Sequence, residues 1–487
     1  MRILALDQGT TNTKALVVDA SGAILARAAT GTSTDYPRPG WAEQSAAAIW
    51  AATRQVIGSV VEAVGSGTID GIAISNQRET LVLWDAATSE PVGPAILWQC
   101  RRTAPDCAAL IAAGRNAEVE AATGLGINPL FPASKLGWAL RERPEARALL
   151  AQGRLRAGTV DAWLLWNLSG GAAFATDHSN ASRTQLFDTA RLAWDPDLTA
   201  LFGASLEALP APMPSDSRFG ETAPGATALP GGVPVLAMMG DSHAALYGHG
   251  VRGPGPVKAT YGTGSSLMTL TEGRVHSRHG LSSTIAWTDR HGTAYALEGN
   301  ITVSAQAAAF MAGILGLPDA RALSDLAQTV PDSGGVAFVP ALAGLGAPHW
   351  DDAATGLVTG MTHGTSRAHL ARATLEAIVL QVADVFGAME ADRGAPLEGI
   401  SADGGASSNG FLMQLQAEVL GRPVSVTGAE EVGALGAAAM AFAGLGVSLP
   451  PPGGETRYAP AQTDGTARAA LRAGWRAAVE RCRFQPG

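Results

Sequence analysis

Cysteine is nearly absent from this chain. The three that occur, Cys100, Cys107 and Cys482, are too few and too scattered for a disulfide framework or a four-ligand metal site. Such sparse usage fits a reducing compartment. Lysine is equally rare, with only Lys14, Lys135 and Lys258. With 43 acidic against 34 basic residues, the net charge of −9 argues against nucleic acid or an anionic membrane surface as the main partner. No apolar run approaches the roughly 18 residues that a membrane span needs. The N-terminus enters a strand after a single Arg with no signal-type stretch, so a cytoplasmic location is expected, without membrane insertion. Several catalytic signatures are also missing. There is no G-x-x-x-x-G-K-[ST], no H-E-x-x-H and no G-x-S-x-G, and the nine His residues show no metal-ligand spacing.

What remains is an ordinary globular composition, 46% hydrophobic and 16% charged, over 487 residues. That length exceeds what one core usually serves and predicts two domains of roughly 240 residues each. The stretch Leu4 to Asp19, LALDQGTTNTKALVVD, predicts a β-hairpin: two short apolar runs flank a polar turn rich in Gly and Thr. Its turn carries a carboxylate at a strand end (Asp7), a Gly that lets a ligand approach the backbone (Gly9), and three hydroxyls (Thr10, Thr11, Thr13). Successive N–H groups in such a turn form an anion-binding concavity, and a strand-end Asp can hold Mg²⁺. An ordinary hairpin has the same composition.

Further along, Ala23 to Ala28 predicts a third strand of a meander, and Trp41 a packing anchor in a Pro-bearing loop. Ala46 to Val64 reads as a helix and Gly71 to Ser75 as a buried strand. That strand ends in five polar residues, Asn76 to Thr80, either a solvated loop or a ligand site of the kind open α/β sheets place at strand ends. Ala95 to Arg102, AILWQCRR, repeats the pattern. A helix is expected after Pro129, and another within Gly158 to Leu168 with Asp161 in its first turn and Trp163 and Trp166 in the core. Leu209 to Val233, rich in Pro and Gly, reads as a long surface connection. Val233 to Leu246 predicts a strand and a helix with Asp241 at the turn between them, as a cap or as a general base. A Gly- and Pro-dense boundary follows at about residues 245 to 253, dividing the chain into domains 1–246 and 247–487. The second half opens as the first did: VKATYGTGSSLMTL, Val257 to Leu270, is again strand, Gly/Thr/Ser turn, strand, which suggests an internal duplication. GISADGGASSN, from Gly399 to Asn409, predicts an open, Gly-lined strand end before the helix Gly410 to Leu420. Glu431 to Leu445 predicts a helix of small residues able to pack very closely on a sheet.

With DQGTT, NQRET, WQCRR, the Gly240-Asp241 pair, YGTG and DGGASSN in this order, the chain resembles the FGGY carbohydrate kinases, and their glycerol kinase branch in particular. GLVTGMTHGTSRAHLARATLE (356–376) and TDHSNASRT (176–184) add to the likeness. This resemblance implies an α/β fold of two actin-like, ribonuclease H-like domains with an interdomain active-site cleft for Mg-ATP and a small polyol or sugar. It makes Asp7 the Mg²⁺-associated carboxylate and Thr10 and Thr11 phosphate contacts. Gly262 and Thr263 fall on the second phosphate hairpin, and Gly405 and Asn409 against adenosine. Asp241 matches the general base, while Arg78, Glu79 and Trp98 match substrate-contacting positions. It also implies a homodimer or homotetramer. Departures cluster in the pocket: Leu130, Ser242 and Ser266 stand where the glycerol kinase pattern has Tyr, Gln and Phe. Phosphorylation of glycerol is the nearest family activity, and these changes should leave room for the alternative, a longer acceptor such as erythritol or a pentulose. The regulatory Arg of a sugar-bisphosphate site has no counterpart in GATALPGGVPV (225–235), so no such inhibition is expected. A nucleotide-dependent clamp without a small acceptor would have no use for Arg78, Glu79, Trp98 and Asp241 together, and a pseudokinase would lack Asp7 or Asp241.

Overall fold

The computed structural model describes residues 1–450, 453–461 and 465–484. Two compact units emerge from the packing. The first holds Met1–Arg252 and Ser283–Ala296, together with the stretch from Glu430 that carries the helix Val432–Gly444; the second holds Gly253–Ser282, Leu297–Ala429 and the residues from Gly453 onward. The units are therefore not collinear with a cut at 246/247. Among the described residues, no helix is long and apolar enough to cross a membrane.

In the first unit the expected meander forms from β1 (Arg2–Gln8), β2 (Asn12–Asp19) and β3 (Ile24–Gly31). Asp7 faces Lys14 and Gln8 faces Thr13 across the hairpin, which leaves residues 9 to 12 as its turn. The helix α1 (Ala46–Val64) starts at Ser45, whose hydroxyl accepts from the Ala48 N–H as an N-cap, and its buried Ile49, Val56, Ile57 and Val60 recur at helical spacing. Parallel to β1 runs β4 (Gly71–Asn76), every residue of which is buried, as a strand covered on both faces requires.

The helix α2 (Pro132–Glu142) follows, with Pro at its start. Next comes α3 (Val160–Leu168), with Asp161 in its first turn and Trp163 and Trp166 in the core as expected. The Pro- and Gly-rich stretch after Leu209 is more than a surface connection. It buries Ser215 and Phe219 and supplies the edge strand β5 (Gly220–Glu221). β6 (Pro234–Gly240) then leads directly into α4 (Asp241–Gly248). The sheet order is β5-β6-β4-β1-β2-β3, with β6, β4 and β1 parallel. Their C-terminal ends therefore line up, at Gly240, Asn76 and Gln8 respectively.

The second unit repeats the opening device. β7 (Pro256–Tyr261) and β8 (Ser265–Thr271) form an antiparallel hairpin with Tyr261 facing Ser265. Its core gathers around the 27-residue helix α5 (Arg367–Arg393), started by a capping box between Ser366 and His369. β9 (Gly399–Asp403) lies parallel to β7, and α6 (Gly410–Leu420) follows as expected from the sequence. Two further strands, β10 (Val424–Thr427) and β11 (Glu455–Tyr458), extend this sheet beyond β9.

Between β10 and β11 in the chain lies α7 (Val432–Gly444), which packs with the first unit, against α4, β4 and β1. Small residues make this possible. A Cβ at Gly436 would stand 1.8 Å from the Ala244 carbonyl oxygen, so only Gly allows the two helices to approach this closely.

Candidate active site

The five polar residues after β4 are not a solvated loop. Asn76, Gln77, Arg78, Glu79 and Thr80 are all buried, none more than 7% exposed. Burying so many polar groups is costly unless each finds a partner, and the partners here lie on other strand ends and loops. Gln77 accepts at Oε1 from the Thr80 hydroxyl at 2.8 Å and more weakly from Thr10 at 3.4 Å, and donates through Nε2 to Gln8 (3.1 Å) and Gln44 (3.0 Å). The two threonines in turn hold Trp98: its indole N–H donates to Thr10 Oγ1 at 3.0 Å and its backbone N–H to Thr80 Oγ1 at 3.3 Å. A ring of hydrogen bonds through one glutamine amide thus joins the turn after β1 to Trp98, which is 38% exposed.

Arg78 reaches the start of α4. Its Nε donates to Asp241 Oδ1 at 3.0 Å and its Nη2 to Ser242 Oγ at 3.1 Å. Asp241 Oδ1 also accepts from the Ser242 N–H at 2.6 Å, while the residue capping α4 is Gly240 rather than Asp241. The Asp241 side chain is 43% exposed, so the carboxylate is oriented by a buried guanidinium yet open to an incoming group.

Glu79 has φ of 60°, in the left-handed region that costs a non-Gly residue strain. Three cations surround it. Arg183 Nε donates to Glu79 Oε1 at 2.7 Å, Arg78 stands 4.0 Å from the same oxygen, and Lys135 Nζ donates to the Glu79 backbone carbonyl at 2.9 Å. Lys135 is fully buried on α2, and burial pushes its ammonium down to about 7, with the Glu79 charge opposing the shift. Leu130, half-buried in the turn before α2, gives its carbonyl to Lys135 Nζ at 2.6 Å.

Asp7 sits at the end of β1. Burial pushes its carboxyl up to about 6, partly offset by the Ser75 hydroxyl donating to Oδ1 at 2.7 Å and raised further by the Asp241 charge. Lys14 works against the rise, although its own ammonium pairs with Glu431 at 2.7 Å. Gly433 leaves room here: a Cβ at that position would lie 3.6 Å from Asp7 Oδ1. Thr11 is exposed in the same turn, and its hydroxyl accepts from Asn12 Nδ2 at 3.3 Å.

Within the second unit, the Gly262 and Thr263 carbonyls accept from the N–H groups of Ala305 (3.1 Å) and Ser304 (2.9 Å), which fixes the turn between β7 and β8. Ser266 donates to Glu298 Oε1 at 3.2 Å. At the end of β9, Gly404 has φ of 90° and its Cβ position is filled by the Tyr261 backbone, whereas Gly405 faces open space. Asn409 caps α6 through Oδ1 (Leu412 N–H, 3.1 Å) and donates to Ser324 Oγ at 3.0 Å. One amide N–H and one lone pair of that side chain are left for a ligand.

The first unit therefore brings Asp7, Thr10, Arg78, Glu79, Trp98, Leu130, Asp241 and Ser242 to adjoining strand ends, and the second brings Gly262 and Thr263 to one turn and Gly405 and Asn409 to another. Not every residue of WQCRR serves this site. Arg102 is buried, paired to Glu43 at 2.7 Å, and stacked between Trp41 and Trp138, so it belongs to packing. Reading the sequence missed Gln77 as a hub, and also Lys135 and Arg183. The scarcity of Lys was visible for Lys135, but nothing local marks it as buried against two carbonyls.

Both halves match models of one family, the FGGY family of carbohydrate kinases: the N-terminal domain over residues 2–248 and the C-terminal domain over 257–445. The chain belongs to that family. Its two α/β domains are accordingly of the actin-like kind. An apulose kinase of Pectobacterium atrosepticum is 49% identical over 90% of this chain and 88% of its own length. A glycerol kinase of Symbiobacterium thermophilum is 44% identical over 99% of this chain and 98% of its own. Among solved structures, Plasmodium falciparum glycerol kinase with ADP superposes with a TM-score of 0.94 at 29% identity, covering 100% of this chain and 99% of that one. This FGGY member is an ATP-dependent kinase that phosphorylates a small polyol or sugar.

Proposed function

We propose that this kinase transfers the terminal phosphoryl group of ATP to a primary hydroxyl of an acceptor longer than glycerol, a polyol or ketose of four or five carbons, with Asp241 as general base. The observation that carries the chemistry is the Asp241 carboxylate, pinned 3.0 Å from Arg78 Nε yet open. Phosphoryl transfer asks the protein mainly for positioning and charge neutralisation, plus an acceptor for the attacking hydroxyl's proton. Asp241 takes that proton. Arg78, buried and bonded to both Asp241 and Ser242, keeps the carboxylate aimed. Glu79 accepts from acceptor hydroxyls, and Trp98 packs on the carbon side. Thr10 and Thr11 hold phosphate oxygens, as do Gly262 and Thr263 in their own unit. Gly405 and Asn409 lie against adenosine. The first phosphate turn and the named acceptor residues other than Ser266 thus belong to residues 1–246, and ATP to 247–487.

Asp7 fits a Mg²⁺ ion. Its half-buried carboxylate oxygens are of the hard type, and its proton affinity is raised where a cation would lower it. Among the described residues no group of three or more His, Cys, Asp or Glu forms an all-protein cage, which suits an ion held by one carboxylate and substrate phosphates. When bound, Mg²⁺ neutralises charge on the phosphate oxygens.

Support for a longer acceptor comes from Leu130, Ser242 and Ser266, two of them much shorter than the side chains of the glycerol kinase pattern, and from a 49% identical relative named for apulose. Each hydroxyl partner a glycerol-sized site loses costs about 1 to 3 kcal/mol, which extra hydroxyls of a longer acceptor recover. ADP release from Mg-ATP, measured with glycerol, erythritol, threitols, pentitols, pentuloses and gluconate, tests this. A four- or five-carbon compound should exceed glycerol in kcat/KM by tenfold or more, about 1.4 kcal/mol of transition-state binding; glycerol as the best acceptor would refute the widened pocket. We further infer a cytoplasmic homodimer or homotetramer, which light scattering reads directly.

A further inference from the structure

The acceptor-site residues Glu79 and Leu130 come from segments far apart in the chain, and no strand pairing joins the two. Something else must set their separation. Lys135 lies on α2, five residues after Leu130, with 0% exposure, and its ammonium donates to the Glu79 carbonyl at 2.9 Å and to the Leu130 carbonyl at 2.6 Å. A second cation runs alongside. Arg183 Nε donates to the Glu79 carboxylate at 2.7 Å, and its guanidinium lies 5.2 Å from the centre of the Phe131 ring, next in sequence to Leu130. The backbone continues the same link, with the Ala133 N–H donating to the Thr184 carbonyl at 3.0 Å.

Burying a lysine ammonium is expensive, and a buried methionine would fill similar space without the cost. What the ammonium supplies is geometric. It bonds two carbonyls at once, one of them on a residue held at φ of 60°, a conformation that persists only where its surroundings enforce it.

We propose that Lys135 is a specificity-determining positioning residue: its ammonium clamps the Glu79 backbone to the Leu130 turn and so sets the width of the acceptor pocket, with Arg183 fixing the Glu79 carboxylate from the other side. Lys135 itself need not touch the acceptor. The inference rests on the acceptor site proposed above. It accounts for Glu79 being held from three directions, and it adds a buried ion to the lining residues as a determinant of pocket width.

The test is Lys135→Met, which keeps length and apolar volume and removes the donors. The best acceptor of the panel is assayed beside glycerol, with thermal unfolding measured in parallel. The clamp predicts a folded protein whose KM for the best acceptor rises tenfold or more, whose preference for it over glycerol falls at least threefold, and whose KM for ATP stays within twofold. A folded variant with unchanged acceptor KM and preference overturns the proposal. So does an equal loss for all acceptors with a matching loss of ATP affinity, the mark of general damage. If Lys135→Met does not fold, hydrogen exchange on the wild-type protein decides: acceptor binding should protect residues 77–82 and 128–133 together, and protection of one without the other overturns the clamp. Wild-type protein that turns over no acceptor would instead sink the underlying site assignment.

Discussion

At the scale of single residues, the site is built from charges whose protonation is contested. Asp7 holds its proton more tightly in the folded chain than in the unfolded one, because burial raises it from an ordinary 3.8 to about 6. Its contribution to stability is therefore present at low pH and lost as pH rises through about 6. Two outcomes follow from that sign. Without Mg²⁺, Asp7→Asn should raise the melting temperature at pH 8, by a few degrees, and much less at pH 4.5, as calorimetry would show. With Mg-ATP, wild-type affinity for the metal should weaken as pH falls below about 6, where the carboxyl becomes protonated. An Asp7→Asn variant less stable than wild type at pH 8 would mean that the ionised carboxylate is already compensated in the fold. The sequence displayed Asp7 and Asp241 at strand ends, where their chemistry could be guessed. Lys135 and Arg183 could not be guessed, since both are recognised by their bonds to Glu79, more than fifty residues away.

Strands and helices place those residues. The three parallel strands β1, β4 and β6 end side by side, and this alone brings Asp7, the Asn76–Thr80 run and Asp241 together. Alternation and turn chemistry made both hairpins, α1 and α6 legible. The close packing of α7 on a sheet was also legible from its run of Gly and Ala, though not its contact with α4, because helix period names a face and not everything that covers it. Gly436→Ala tests that packing: its Cβ would stand 1.8 Å from the Ala244 carbonyl, so α7 must shift. A loss of about 3 kcal/mol in urea unfolding is expected, with kcat/KM reduced as well, since α7 also carries Gly433 beside Asp7. A variant of unchanged stability would mean that the two helices separate freely. Sequence patterning carried less far at AILWQCRR and failed at the Pro- and Gly-rich stretch after Leu209. AILWQCRR has the pattern of one more strand end but pairs only through Ala95–Ile96, and the stretch after Leu209 has a surface composition yet buries Ser215 and Phe219.

For the molecule as a whole, six short motifs in order were enough to place the chain in its family, and both family models and the superposition with a glycerol kinase agree. Acceptor choice is less visible, because the clamp proposed for Lys135 joins segments that no local pattern connects. The central claim is that Asp241 accepts the acceptor's proton during phosphoryl transfer. Its most direct test compares acceptor-dependent ADP release by wild type and Asp241→Asn at saturating Mg-ATP, with acceptor binding measured separately. General-base removal predicts a fall in kcat of about 10² to 10⁴-fold while acceptor affinity stays within about threefold of wild type. A variant that turns over within tenfold of wild type would contradict the assignment and leave Asp241 a structural partner of Arg78 and the Ser242 N–H.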